Sequence, residues 1–274
     1  MICSKSLPNT WTICLVLLTL TNVMCPAAKI SAITNPSADV RLSFIQPGRV
    51  AGVNVKQGEF VKAGQLLVQQ DDAIEQAQLA QTEALSKNTT QIQASEASLA
   101  QKQVDLKKLE KAAASKAATE LEVEHAKLEV RMAELSLELA KFEHEQNKRK
   151  YEETKIRVEN MRLKSPIAGS VENIYVEVGE SANALADVVR VVRTDPLWID
   201  VPVPLNIAGT LKSGQAAVVE FPDSEPLRIE GKVTYVAAVA DAGSSTLIVR
   251  VEVPNKAGRP AGEHVKVDFP TKQQ

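Results

Sequence analysis

One pattern of apolar positions occurs twice in this chain. Gly48-x-Val50-x-x-Val53-x-Val55-x-x-Gly58-Glu59 returns 121 residues later as Gly169-x-Val171-x-x-Ile174-x-Val176-x-x-Gly179-Glu180, with Arg41-Leu42 and Arg162-Leu163 leading in at the same offset. Alternating Val and Ile put every second side chain on one face of a short strand. Gly58 and Gly179 supply the positive φ that a tight turn needs. Each strand–turn–strand half is too short to bury a core. The two are stable only packed on each other, so the ends of the segment between them must come back together.

Between the halves the period changes. From Gln65 to Ser165 there is neither Gly nor Pro, and Ala, Glu, Lys, Leu and Gln dominate, so the segment reads as helix. Leu85, Ile92, Leu99 and Leu106 recur every seven residues, as do Leu121, Leu128, Leu135 and Phe142, continuing to Ile156 and Leu163 with Arg149 as the polar interruption. The second row has companions at His125, Met132 and Leu139; the first has only Asn88, Ser95 and Lys102 before Leu109. Both rows read as coiled-coil seams. They lapse over Ala112–Ala118, and Thr119-x-x-Glu122 then forms a capping box. A single helix of about 90 residues would hold the β halves about 130 Å apart. Folding back at Ala112–Ala118 instead predicts an antiparallel hairpin with arms of about 40 residues, about 60 Å long.

After the second half the period returns to two. Trp198–Val203, Ala216–Phe221, Arg228–Val236, Thr246–Val253 and Val265–Phe269 read as short strands, separated by turn signals such as Ser213-Gly214, Pro222-Asp223 and Asp241-Ala242-Gly243. They predict a small antiparallel barrel, with an open sandwich as the alternative. The expected class is α+β and multidomain: a signal segment over 1–28, a lipoyl-like β module in two halves (40–71 and 161–193), a coiled-coil hairpin over 72–160 and a β-barrel over 194–270.

Lys5, the apolar run from Ile13 to Leu20 and the small residues Cys25-Pro26-Ala27-Ala28 have the layout of a signal peptide, cleaved near Ala27 or Ala28. The apolar core is shorter than the roughly 20 residues that span a bilayer. A lipid anchor at Cys25 is the alternative, but Met24 stands where a small residue is expected. Cys3, Cys14 and Cys25 are the only cysteines, so a cleaved chain has no disulfide and no thiol chemistry. Aromatics at 4% and a formal charge of −2 argue against nucleic acid as a partner.

These residues resemble the periplasmic membrane fusion proteins, the HlyD-like adaptors of Gram-negative efflux and secretion pumps. Gly48–Leu67 is similar to the family's first lipoyl half and Leu163–Val171 to its second; biotinyl and lipoyl carriers share each half, but not the split around a helical hairpin. Thr119-x-x-Glu122-Val123-Glu124-x-Ala126 resembles the signature that opens the returning helix, with Thr for the usual Ser. Asp195-Pro-Leu-Trp198, Gly214-Gln215, Gly231, Thr246, Asn255 and Gly262 fall where the barrel domain carries equivalent residues. The resemblance implies a non-enzymatic adaptor, peripheral to the inner membrane, between an inner-membrane transporter of the RND or ABC type and an outer-membrane channel. It also implies self-association, usually as a hexameric ring. Gly48, Gly58, Gly64, Gly169 and Gly179 would be its structural lipoyl positions, and Lys108, Ala112, Ser115, Thr119 and Glu122 its partner-binding tip. Drug-efflux members carry Arg-x-x-x-Leu-x-x-x-x-x-x-Ser at that tip, whereas Lys108, Ala112 and Thr119 stand here; charge and hydroxyl survive, but the apolar anchor and Arg's planar fork are lost. The chain stops soon after Phe269 and little precedes Arg41, so the barrel is expected to meet the transporter directly.

No catalytic or cofactor site is expected. A lipoyl or biotinyl carrier needs a lysine at the turn between the halves, and the first half ends in Gln69-Gln70-Asp71-Asp72. His125, His144 and His264 lack the i, i+4 spacing of a zinc helix, so no metal is expected. Helix carboxylates alternate with Lys and Arg as on a solvated face. Asn88-Thr89-Thr90 matches a glycosylation acceptor by chance. The competing function is an exported structural coiled-coil protein that works without a transporter.

Overall fold

The computed structural model describes residues 29–223 and 227–270; the expected signal segment over 1–28 lies outside them. Strand β1 (Ile30–Ser43) leads into the first half, β2 (Gly48–Val53), β3 (Phe60–Val61) and β4 (Leu66–Gln70). Helices α1 (Ala73–Lys87), α2 (Thr90–Ala114) and α3 (Glu120–Asn160) follow, then the second half, β5 (Arg162–Lys164), β6 (Gly169–Ile174), β7 (Ser181–Ala182) and the long β8 (Asp187–Pro204). Helix α4 (Leu205–Ala208) and strands β9 (Ala216–Phe221), β10 (Leu227–Val236), β11 (Thr246–Val253) and β12 (His264–Asp268) complete the chain. Two compact units result: one of Asn35–Trp198 with Pro254–Ala261, the other of the described residues of Met1–Thr34, Ile199–Val253 and Gly262–Gln274.

In the first unit the repeat becomes a clasp. The halves exchange strands: β3 pairs with β6 (Val61↔Gly169) and β7 pairs with β2 (Gly48↔Ala182). Their hydrogen bonds are exchanged in the same way. Gly58 N–H donates to the Val171 carbonyl and Gly179 N–H to that of Val50, both at 2.8 Å, while Val171 N–H donates to Glu59 O at 2.9 Å and Val50 N–H to Glu180 O at 2.8 Å. Glu59 and Glu180 each accept from a turn amide, of Lys56 and Glu177 at 2.9 and 3.0 Å. Val50, Val61, Leu67 and Val68 from one half pack with Val171, Ala182, Val188 and Val189 from the other, all fully or nearly buried. Neither half has a core alone, which is why the sequence repeats.

The predicted turn glycines take positive φ, +82° at Gly58 and +92° at Gly179, as does Gly64 at +81°. The position matching Gly64 in the second half is Leu185, which holds φ +60° with its side chain in solvent. Gly48 and Gly169 face backbone or side chain instead: a Cβ on Gly169 would lie 2.3 Å from the Val192 carbonyl oxygen, and one on Gly48 would lie 2.9 Å from the buried Gln70 amide.

The second unit orders its strands β1-β12-β9-β10-β11-β8. Ile199, Val201 and Val203 alternate inward, as do Ala217, Val219 and Phe221, Val249, Val251 and Val253, and Val265 and Val267. Four of the strands predicted from alternation stand within a residue of their expected places, while the one expected at Trp198–Val203 is the end of β8, which begins eleven residues earlier at Asp187. The start of β1 was not among them, because Asn35-Pro36 interrupts the run with turn signals. Its first residues pair with β12 (Ile30↔Val267).

Candidate partner-binding surface

The helices form two antiparallel arms. Lys102 Nζ lies 2.9 Å from a Glu129 carboxylate oxygen and Lys141 Nζ 3.9 Å from Glu96, so residues at rising numbers in one arm meet falling numbers in the other. At 1.5 Å per residue α3 is about 60 Å long.

The turn between arms is set by caps. Helix α2 ends with the Ala117 N–H bonded to the Ala112 carbonyl (2.8 Å) and the Lys116 N–H to that of Ala113 (2.9 Å), the paired bonds of a Schellman motif. Lys116 occupies its left-handed position at φ +63°. Ser115 Oγ donates back to the Ala112 carbonyl at 2.9 Å. The capping box is present as its sequence predicts: Thr119 Oγ1 accepts from Glu122 N–H at 3.3 Å, while Glu122 Oε2 accepts from the Thr119 N–H at 2.7 Å and from its hydroxyl at 2.9 Å. The backbone bond from Thr119, then its hydroxyl, holds the Glu122 carboxyl below its ordinary pKa. The structure therefore brings Ser115, Thr119 and Glu122 together at the turn, with Ala112 half-buried in the last turn of α2. Lys108 stands one turn further back, exposed, 3.6 Å from Asp105.

The seam of α3 departs from expectation. Leu121, Leu128, Leu135, Phe142 and Ile156, expected to face the other arm, are 49–67% exposed, and the companions Met132 and Leu139 are 63% and 57% exposed. Buried or half-buried instead are Val123, Ala126, Val130, Ala133, Leu137, Ala140, His144, Asn147, Tyr151, Thr154 and Val158, an unbroken alternation of three- and four-residue steps. Helix α3 thus carries two heptad faces. Periodicity reveals both faces without deciding which meets the partner arm. The face with Ala126, Ala133 and Ala140 in every second place of its first half lets the helices approach closely there, and it is the one that packs. His125 is exposed and His144 sits in the seam.

The first arm keeps its predicted row at Ile92, Leu99 and Leu106, with Ser95, Lys102 and Leu109 beside it. Leu85, expected in that row, is 47% exposed, because the arm is two helices rather than one. Asn88 is extended (φ −77°, ψ 114°), and its side chain accepts from Thr90 N–H at 3.0 Å. Asn and Thr compete with the helical backbone for hydrogen bonds, so they can end a helix without Gly or Pro.

Asn255, singled out in sequence, is buried and bridges the Thr194 and Arg259 carbonyls through Nδ2 at 3.0 and 2.9 Å. Its backbone N–H donates to Asp195 at 2.9 Å. It is a brace within its unit. Among the described residues no helix is long and apolar enough to cross a membrane.

Comparison with known proteins agrees with these modules. The RND MFP barrel-sandwich hybrid domain matches residues 43–193, and the CusB-like beta-barrel domain matches residues 196–272. Comparison with curated protein sequences found no match. Among solved structures, MacA from Actinobacillus actinomycetemcomitans aligns with a TM-score of 0.73 at 17% identity, over 89% of this chain and 79% of that one. The membrane fusion protein Spr0693 from Streptococcus pneumoniae R6 aligns at 0.63 and 14% identity over 90% and 100%. ZneB from Cupriavidus metallidurans aligns at 0.51 and 21% identity over 88% and 70%. These likenesses establish a shared fold. The barrel-sandwich match spans more than half of the sequence, and it coincides with the strand-exchanged clasp from which the helical arms rise: the chain belongs to the membrane fusion proteins.

Proposed function

We propose that this protein is a periplasmic adaptor that links an inner-membrane transporter of the RND or ABC type to an outer-membrane channel and takes no chemical part in export. An export signal over 1–28 would deliver it to the periplasm. The arms over 72–160 serve as an antiparallel coiled-coil hairpin, the lipoyl-like halves over 40–71 and 161–193 clamp its base, and the barrel over 194–270 faces the transporter. The tip at Lys108, Ala112, Ser115, Thr119 and Glu122 meets the channel.

The observation that carries this reading is the second heptad face of α3. A helix whose one seam is filled and whose other is exposed is suited to packing side by side with further copies. At 3.5 residues per turn the centres of the two faces lie about 155° apart. Helices joined through such faces turn by about 25° at each step, and a tube closes after about fourteen, or about seven two-helix copies. That number is close to the ring of six implied by the family.

The test is crosslinking from Ser115→Cys in a chain with Cys3, Cys14 and Cys25 changed to serine. Covalent capture of an outer-membrane channel during export is the expected result. Failure to capture one, while the copies still crosslink to each other, would sink the docking of the tip.

A further inference from the structure

The break in the first arm coincides with a mismatch in the seam. Inward positions of α1 are Leu79, Thr82 and Ser86, and those of α2 are Ile92, Ser95, Leu99, Lys102, Leu106 and Leu109. Steps of three and four hold within each helix, but Ser86 to Ile92 is a step of six, where a continuous seam would step seven. A heptad carried on from α1 would place Gln93 inward, and Gln93 is exposed. The facing seam of α3 has no such gap. The first arm is one residue short, and Asn88-Thr89 leave the helix where the phases disagree.

The packing there is correspondingly loose. A solvent-open groove of about 100 Å³ is lined by Leu85, Asn88, Gln91, Ala140, His144 and Asn147, among others. His144 Nδ1, buried at this level, has no hydrogen-bond partner. Leu85, which belongs to the α2 phase, is left half outside. At this one level the two-helix rod has no continuous hydrogen-bond ladder in its first arm, and polar side chains and an open groove replace close-packed apolar contact. Bending stiffness there rests on α3 alone.

We propose that Asn88-Thr89 is a hinge created by the missing residue, at which the distal hairpin bends against its base while both seams stay packed. Helix α2, 25 residues and so about 37 Å long, is the lever. A bend of about 10° displaces the tip by about 6 Å. The clasp at the base stays in place.

Spin-label distances in the full chain, with Cys3, Cys14 and Cys25 changed to serine, test this. Labels at Ala77→Cys and Ala97→Cys straddle the break on exposed positions, and labels at Ala94→Cys and Ala114→Cys span the same number of residues inside α2. The expected result is a distribution at least twice as wide for the first pair. Inserting one alanine between Asn88 and Thr89, together with Asn88→Ala and Thr89→Ala, restores the seven-residue step; it should narrow the first distribution to the width of the second and raise the thermal midpoint. The same two substitutions without the insertion should leave it wide. Equal widths in the unaltered protein overturn the hinge. Narrowing without the insertion overturns the missing residue as its cause, as does an inserted chain that stays wide or melts earlier.

Discussion

Gly48 and Gly169 occupy matching places in the two halves, yet alanine should be tolerated very differently at each. A Cβ at Gly169 would sit 2.3 Å from the Val192 carbonyl oxygen and 2.9 Å from its carbon, whereas real Cβ atoms essentially never come within 3.0 Å of another heavy atom. Strand β6 must therefore move by at least 0.7 Å (3.0 less 2.3) relative to β8. That movement pulls on the Ser170↔Val192 and Val171↔Val191 pairs and on the clasp bonds of Val171. Overpacking of this kind costs about 1–3 kcal/mol, and each strained hydrogen bond adds about 1 kcal/mol, so Gly169→Ala is expected to destabilise the protein by about 3 kcal/mol or more. At Gly48 the obstruction is the far end of the Gln70 side chain, at 2.9 Å. It can rotate away, losing its 3.1 Å bond to the Gln46 carbonyl, at a cost of about 1 kcal/mol. Urea unfolding followed by circular dichroism measures both. A double-mutant cycle sharpens the comparison: in a Gln70→Ala background Gly48→Ala should add less than about 0.5 kcal/mol, because the atoms in its way are gone. No side-chain deletion relieves Gly169→Ala. Equal losses at the two glycines, or no coupling between Gly48 and Gln70, would refute the reasoning.

Three further outcomes are expected. Leu185→Gly should raise stability by about 0.5–1 kcal/mol in the same urea assay, since a left-handed backbone costs a non-glycine residue about 1–2 kcal/mol and glycine's extra unfolded-state freedom returns part of that; Gly64→Leu should do the reverse. Leu135→Lys, on the outer face of α3, should leave the midpoint almost unchanged and weaken self-association in sedimentation, whereas Leu137→Lys in the seam should melt the arms; the opposite order would mean the faces are assigned wrongly. Because Thr119 depresses the folded-state pKa of Glu122, that carboxylate's stabilisation is present above its unfolded pKa and lost as pH falls through the lower folded value. The unaltered protein should therefore be more stable than Glu122→Gln near neutral pH, with the gap closing as pH falls through the folded-state pKa of Glu122, and a gap that stays constant with pH would contradict it.

Local chemistry was legible without coordinates. The clasp could be read from Val50 and Val171 because two half-cores that cannot stand alone have to meet. The turn at Ala112–Ala118 and the cap at Thr119 depend on a few neighbouring residues, and they stand where expected. The strands of the barrel follow from alternation, which is equally local. The face of α3 was not legible, since Leu128 and Ala133 belong to two equally regular heptad rows, and only the approach of the other arm chooses between them. The same holds for Leu85. Its row runs in register with Ile92 and Leu99 along the sequence, but tertiary packing of α1 against α3 sets a different phase, and the helix breaks to satisfy both. Periodicity is a property of one chain segment, whereas the side that becomes a seam is decided by how closely a second backbone can approach it.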